Sequence, residues 1–254
     1  MFHLEISSKW NKRNLFHPLF QTNKYHKLKI IKPKFFPILI LLLFSCNTAN
    51  DSIYGIDISH HQGKIDWAKV NNWEGHKINF VYIKATEGAT FIDHMYESNI
   101  KGARENGFLI GSYHYFRTTS SPEKQFNNFI TVVDKDLQDL IPLIDVEERK
   151  YWNSKTFHSN FQQFLDLVED HFGKKPMIYT VNSFYNKNLA FKYRKYKFLI
   201  GRYGKNEPLM KDGKNWTMWQ FSETGKVKGI PKKVDIDVLN YKYDVVDLVL
   251  LVDK

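Results

Sequence analysis

Asp145 and Glu147 stand at the end of an apolar run from Leu140 to Glu148. Read as a strand, the run turns both acids to one face and Val146 to the other. Two strand residues separate their backbones by roughly 6.5–7 Å. Carboxyl pairs about 5–9.5 Å apart are the working apparatus of most glycosidases. Such a pair also interacts through its charges, which raises one pKa and leaves the other group ionised. Asp-x-Glu alone is a common surface pattern. Its weight depends on the elements that position it.

Those elements alternate. Strands are predicted at Ile53–Ser59, Asn79–Ala85, Leu109–Phe116 and Leu140–Glu148, then at Pro176–Val181, Lys197–Tyr203, Trp216–Phe221 and Val234–Leu239. A short helix is expected after Asp66, which reads as its cap, and longer ones at 94–105, from Ser121-Pro122, and at 156–171. Asn106-Gly107 and Gly173 stop two of them. Tyr243 to Val252 reads as a closing segment. Strand then helix, repeated, implies a parallel sheet. Eight strands in about 200 residues fit a closed barrel. Convincing helices fade after the fifth strand. The expected fold is therefore α/β, an incomplete TIM-like (β/α) barrel with about eight strands. An open doubly wound sheet would want a Gly-rich loop after the first strand, and none is present.

In such a barrel the reactive groups sit at the carboxyl ends of strands. Asp57, Glu87, Asp145, Glu147 and Asp235 fall there, on four different strands. Unpaired carboxylates are almost never fully buried, so core packing does not explain them. Tyr113, Tyr115, Tyr179 and Trp219 lie on strands where flat aromatic faces suit sugar rings, or where they simply pack. His60 and His61 read as loop residues, because no cluster with ligand spacing accompanies them, and no metal is expected. No Gly-x-Ser-x-Gly elbow occurs.

The 254 residues hold 43% hydrophobic and 16% aromatic side chains, enough for a sizeable core. The net charge of +10 is unevenly placed: residues 1–45 hold eight Lys/Arg against one acid, residues 46–254 hold 29 against 26. No basic stripe interleaved with aromatics argues for nucleic acid. Residues 1–45 read as a signal peptide. Their apolar stretch, Phe35–Phe44, is ten residues long, too short to span a bilayer. Leu43-Phe44-Ser45-Cys46 resembles a bacterial lipobox, which implies lipid on Cys46. Cys46 is the only cysteine, so no intrachain disulfide can form. Residues 46–52 read as a tether and 53–254 as one domain. The expectation is an exported monomer, a lipoprotein held at a membrane through Cys46.

Five motifs carry a family resemblance. They are Gly55 to His60, Phe80 to Gly88, Gly111 to Phe116, Pro142 to Glu147, and Trp219-Gln220 followed by Gly229-Ile230 and Val234 to Ile236. In that order they resemble glycoside hydrolase family 25, the barrel-type lysozymes or N-acetylmuramidases. The resemblance spans about residues 53–240. It implies a barrel with five helices and no required metal or other cofactor. It implies hydrolysis of the β-1,4 bond between N-acetylmuramic acid and N-acetylglucosamine in peptidoglycan. Carried over by motif, Glu147 is the general acid and Asp145 its partner, with Asp57 and Asp235 supporting. Of the two last-strand acids, Asp235 rather than Asp237 is chosen by register. Asp145 is left with two possible jobs, direct nucleophile or orienter of the substrate's own acetamido group. The competing reading is a non-catalytic, membrane-tethered glycan-binding barrel. It would keep the aromatics and lose an acid, whereas all four acids are present.

Overall fold

The computed structural model describes residues 52–250. Eight strands close into a barrel: β1 (Tyr54–Ile58), β3 (His76–Glu87), β5 (Leu109–Tyr115), β6 (Leu143–Asp145), β7 (Met177–Val181), β8 (Lys197–Gly201), β9 (Met218–Gly225) and β10 (Val234–Leu239). Two-residue strands β2 (Asn72–Trp73) and β4 (Phe91–Ile92) pair with the ends of β3. The seven strands from β1 to β9 in the barrel run parallel, and β10 closes it antiparallel to both β9 and β1.

The all-parallel expectation is thus corrected at its last strand. Only the turn 226–233 joins β9 to β10. Eight residues cannot cross the barrel and return, since a parallel connection needs a dozen or more. The consequence for the site is direct. Asp235 lies at the amino end of β10, yet it pairs in register with Asp57 at the carboxyl end of β1. Reversal of the strand brings it to the expected rim.

Helices follow β4, β5, β6 and β7 along the chain. They are α1 (Tyr96–Glu105), α2 (Pro122–Val132), α3 (Ser154–Phe172) and the three-residue α4 (Asn182–Phe184), which runs into a π turn at Tyr185–Leu189. These four stand against the five implied by the resemblance. The Ser121 hydroxyl caps α2 by accepting from the Lys124 N–H, with Pro122 in the first turn. Asn153 caps α3, and Gly173 ends it at φ 73°. Phe157, Phe161, Phe164, Leu165, Val168 and Phe172 form the buried stripe of α3, at the spacing of one helical face. Phe161 and Phe164 meet Phe116, just past β5, at ring separations of 5.1 Å.

Three further expectations change. Asp66 makes no capping bond; it pairs with Lys69 beside a single 3₁₀ turn, Trp67–Lys69. The run Leu140–Glu148 is a strand only over Leu143–Asp145. Pro142 has no N–H to give a neighbour, and Leu140 bridges to Val249 instead. The segment from Tyr243 forms a 3₁₀ turn, Val245–Asp247, and buries Leu248 and Leu250 against the start of β6. Among the described residues no helix is long and apolar enough to cross a membrane. Residues 1–45 and Cys46 lie outside the described residues.

Candidate active site

The carboxyl rim holds a cavity of about 230 Å³ lined by Asp57, Asp145, Glu147, Glu223 and Asp235, with Tyr113, Tyr179, Tyr203 and Gln220. Four of the acids named from the sequence therefore converge. Glu147 lies two residues past the end of β6. The Val146 N–H still bonds to the Tyr179 carbonyl at 3.0 Å, so the strand-like alternation carries through to Glu147. Glu147 also borders a second, outer cavity of about 680 Å³ with Trp152, Phe184 and Asn188. An extended chain can thus lie across it from one cavity to the other.

Gln220 organises the floor. Its Nε2 donates to Asp57 Oδ2 at 2.6 Å, and its Oε1 accepts from the Tyr179 and Tyr203 hydroxyls at 2.8 and 3.2 Å. Gly201 makes room for this network: a Cβ there would come within 2.8 Å of the Tyr179 hydroxyl. Gln220, Tyr203 and Glu223 escaped the sequence reading. Strand parity could have found Gln220, since it alternates with Trp219.

Trp219 is corrected by the same parity. It does not line the cavity. Its indole N–H donates to the Arg202 carbonyl at 2.6 Å, and it packs on Trp216 and Phe221. Tyr115 and Glu87 also stand off the cavity. Glu87 accepts from Lys84 at 2.6 Å and from Arg117 at 2.6 and 2.9 Å, while Arg117 stacks on the Tyr115 ring at 4.3 Å. Partial burial pushes the Glu87 carboxyl up, but those hydrogen bonds and charges outweigh it and hold it below the usual range. Glu87 thus braces two cations beside the site.

His60 also changes standing. Its backbone N–H and Nδ1 meet the buried Asp93 carboxylate at 2.9 and 2.7 Å, and His94 completes a group whose ligand-type atoms lie within 4.8 Å of one another. The sequence showed no such cluster because 33 residues separate His60 from Asp93. Asp93 Oδ1 also accepts from the Met95 N–H, so this carboxylate pins the loop after β1 to the start of α1.

Burial dominates the electrostatics. It raises Asp145 well above the carboxylate range, and the charges of Glu147 and Asp57 raise it further. It raises Glu147 as well, against the neighbouring Asp145 and Arg117, which pull it down. Of the pair, the deeper acid, Asp145, is the one that its partner's charge pushes up. Since both are raised, the pair retains a proton as a unit well above the ordinary carboxyl range. Asp57 is pushed up to about 6 by burial, against the Gln220 bond, and Asp235 to about 8 by burial and the Asp57 charge. Asp237 shares the inward face of β10 but lies deeper, fully buried, with neither oxygen hydrogen-bonded.

This crowding has a stability signature. Unfolded carboxyls titrate at about 4. Above there, folded Asp57 holds until about pH 6, and folded Asp235 until about pH 8, a proton that the unfolded chain has released. Stability must therefore fall as pH rises through that window. The melting temperature is expected to be higher at pH 5 than at pH 8, and Asp235→Asn should flatten the slope. An unchanged slope in the variant would remove Asp235 as its source.

A closed barrel with acids gathered at the carboxyl rim, two of them sharing one strand end, is the architecture of a barrel-type glycosidase. Comparison with known proteins gives the family. Residues 56–230 match Glycosyl hydrolases family 25. The chain is 39% identical over 194 residues to the Escherichia coli K12 protein YegX, covering 76% of this chain and 71% of that protein. It is 32% identical over 183 residues to the autolytic lysozyme of Clostridium acetobutylicum, covering 72% of this chain and 54% of that one. The structure of a family 25 glycosyl hydrolase from Bacillus anthracis superposes with a TM-score of 0.68 at 29% identity, covering 76% of this chain and 92% of that chain. The chain belongs to glycoside hydrolase family 25, and it is a glycoside hydrolase.

Proposed function

We propose that this protein is a muramidase that cleaves the β-1,4 bond between N-acetylmuramic acid and N-acetylglucosamine in peptidoglycan. The observation that carries the reading is the convergence of Asp145, Glu147, Asp57 and Asp235 on one cavity. Family membership and the lysozymes among its relatives support the substrate.

Glu147, the outer acid of the pair, donates the proton to the leaving oxygen. Burial raises its pKa above the ordinary glutamate range, so the proton is held to higher pH than on a free carboxyl. Asp145, deeper and beside it, faces the positive charge that develops on the sugar. In the preferred route it orients the substrate's acetamido group, whose oxygen attacks the anomeric carbon. In the other route Asp145 attacks directly. Asp57 and Asp235 tune the field and position the pair, so Asp57→Asn and Asp235→Asn act more mildly than changes at the pair. Tyr113 and Tyr179 line the cavity as sugar platforms. Mass analysis of fragments from purified peptidoglycan tests the reading. Products ending in reducing N-acetylmuramic acid are expected; reducing N-acetylglucosamine would replace muramidase with another bond specificity.

The same reading places the enzyme outside the cytoplasm, anchored through lipid on Cys46. Its support is the apolar run Phe35–Phe44 ending at Ser45-Cys46 and a substrate that lies in the wall. Several acyl chains would hold it stably, because each buried methylene contributes about 0.8 kcal/mol. A fatty-acid analogue should label the wild type and spare Cys46→Ala. Equal labelling of both would remove the anchor.

A further inference from the structure

The turn between β9 and β10 carries Lys226, Lys228, Lys232 and Lys233 within eight residues and no acid. All four are exposed. Among the described residues none of them is in an ion pair. The turn is nonetheless fixed. Val227 and Ile230 are buried between the lysines and anchor it to the barrel. The Gly229 carbonyl accepts from the Asp66 N–H at 2.8 Å, and the Lys233 carbonyl accepts from Gln62 Nε2 at 3.1 Å. Gly229 sits at φ 92°, and a Cβ there would lie 2.4 Å from the Asp66 carbonyl oxygen, so the backbone at this point is glycine-specific.

A cavity of about 780 Å³ opens against this turn, lined by Lys226, Lys232, Lys233, His61, Gln62 and Pro231 among others. Its size is that of a pocket for a ligand rather than for one ion. It adjoins the catalytic rim on both strands that bound it: His61 follows Asp57 by four residues, and Lys233 precedes Asp235 by two. Cations gathered without counter-charge repel one another, and an anionic occupant relieves that. The catalytic cavity beside them is lined by acids, so the two neighbouring pockets have opposite character.

We propose that this basic pocket is a subsite for the carboxylates of the peptide stems that branch from the glycan strand. The inference rests on the muramidase reading and deepens it. The sugar backbone is uncharged apart from those branches. A stem on a muramic acid bound at the catalytic rim must pass over one of the adjacent surfaces. Two such surfaces carry cations: the outer cavity sets Arg149, Lys150 and Lys187 against Glu147 and Glu148, whereas the pocket at the β9–β10 turn is lined by Lys226, Lys232 and Lys233 with no acid among them. Contacts of this kind act mainly on binding and encounter, and salt screens them within about 8 Å at physiological ionic strength.

The test uses the triple variant Lys226→Gln, Lys232→Gln, Lys233→Gln in the whole mature protein. Two substrates are compared: peptidoglycan with intact stems, and the same glycan after an amidase has removed them and the lactyl carboxylates so freed have been converted to neutral amides. For the stem-bearing glycan the variant should show KM raised about five- to tenfold, with kcat little changed. Added salt should raise the wild-type KM toward that of the variant. On the stem-free glycan, wild type and variant should perform alike, which also shows that the variant is folded. Equal KM on the stem-bearing glycan, or equal loss on both glycans, overturns the subsite. So does a deficit that follows a wall phosphodiester polymer and disappears when that polymer is stripped with the stems left in place. A wild type inactive on both glycans overturns the muramidase reading, and the subsite falls with it.

Discussion

Glu147→Gln is expected to lower turnover on peptidoglycan by 10²–10⁴-fold, the usual contribution of general acid catalysis. The amide keeps the shape of the carboxyl but cannot deliver a proton to the leaving oxygen. Glu147 is half-buried between the inner cavity and the outer one, so the swap disturbs little packing. It also removes a charge that pushes Asp145 up. Stability should therefore hold or rise while activity disappears. Reducing-end release and thermal melting of the same preparation check both halves. The pH profile follows from the same residue. Activity requires the protonated form, so it falls as pH rises past the pKa of Glu147, which burial places above the ordinary glutamate range. Wild-type turnover by the variant would sink the assignment of the rim and leave the glycan-binding barrel as the better account.

Much of this site was legible because barrel strands announce themselves. β3, β6 and β7 are buried on both faces, so they read as continuous apolar runs, and the short runs β1 and β6 carry Asp57 and Asp145 near their carboxyl ends. That placed Asp57, Asp145 and Glu147 on one rim from types and spacing alone. Asp235 reached the rim by a route that the sequence hid. A parallel β10 would have put it at the wrong end, and only the antiparallel pairing with Asp57 brings it up. Asp235 and Asp237 differ by depth, which two residues of one strand face cannot reveal.

Parity was the other blind spot. On β9 one face carries Trp219 and Phe221 and the other Met218, Gln220 and Ser222, and which of them turns inward depends on a register that a shift of one exchanges. The large aromatic drew attention as a sugar platform, whereas the inward group is the amide that joins Asp57 to Tyr179 and Tyr203. Contacts distant in sequence were invisible altogether. Arg117 reaches Glu87 across 30 residues and His60 reaches Asp93 across 33. The first ties down Glu87, which taken singly read as a rim acid, and the second fixes His60, which read as a loop residue.

Asp145→Asn is the second large effect and the more discriminating one. Asp145 is 8% exposed, and its Oδ1 has no hydrogen-bond partner. A carboxyl so placed is costly to ionise, and it is stabilised as an anion only when positive charge forms next to it. That charge forms on the sugar in the transition state, in either route. Electrostatic groups of this kind contribute about 10²–10³-fold, so the variant should lose at least that much turnover. Its stability at neutral pH should instead rise, because Asn removes a buried acid that Glu147 and Asp57 both oppose. Inactive and more stable is the signature of a residue kept for chemistry at the expense of the fold. Loss of activity together with a lower melting temperature would make Asp145 a packing residue instead. The two routes then separate on substrate. A glycan lacking the N-acetyl group at the cleaved residue should resist the wild type if the acetamido oxygen is the attacking atom. A direct nucleophile would still turn it over, and a glycosyl adduct on Asp145 would be trapped by mass spectrometry.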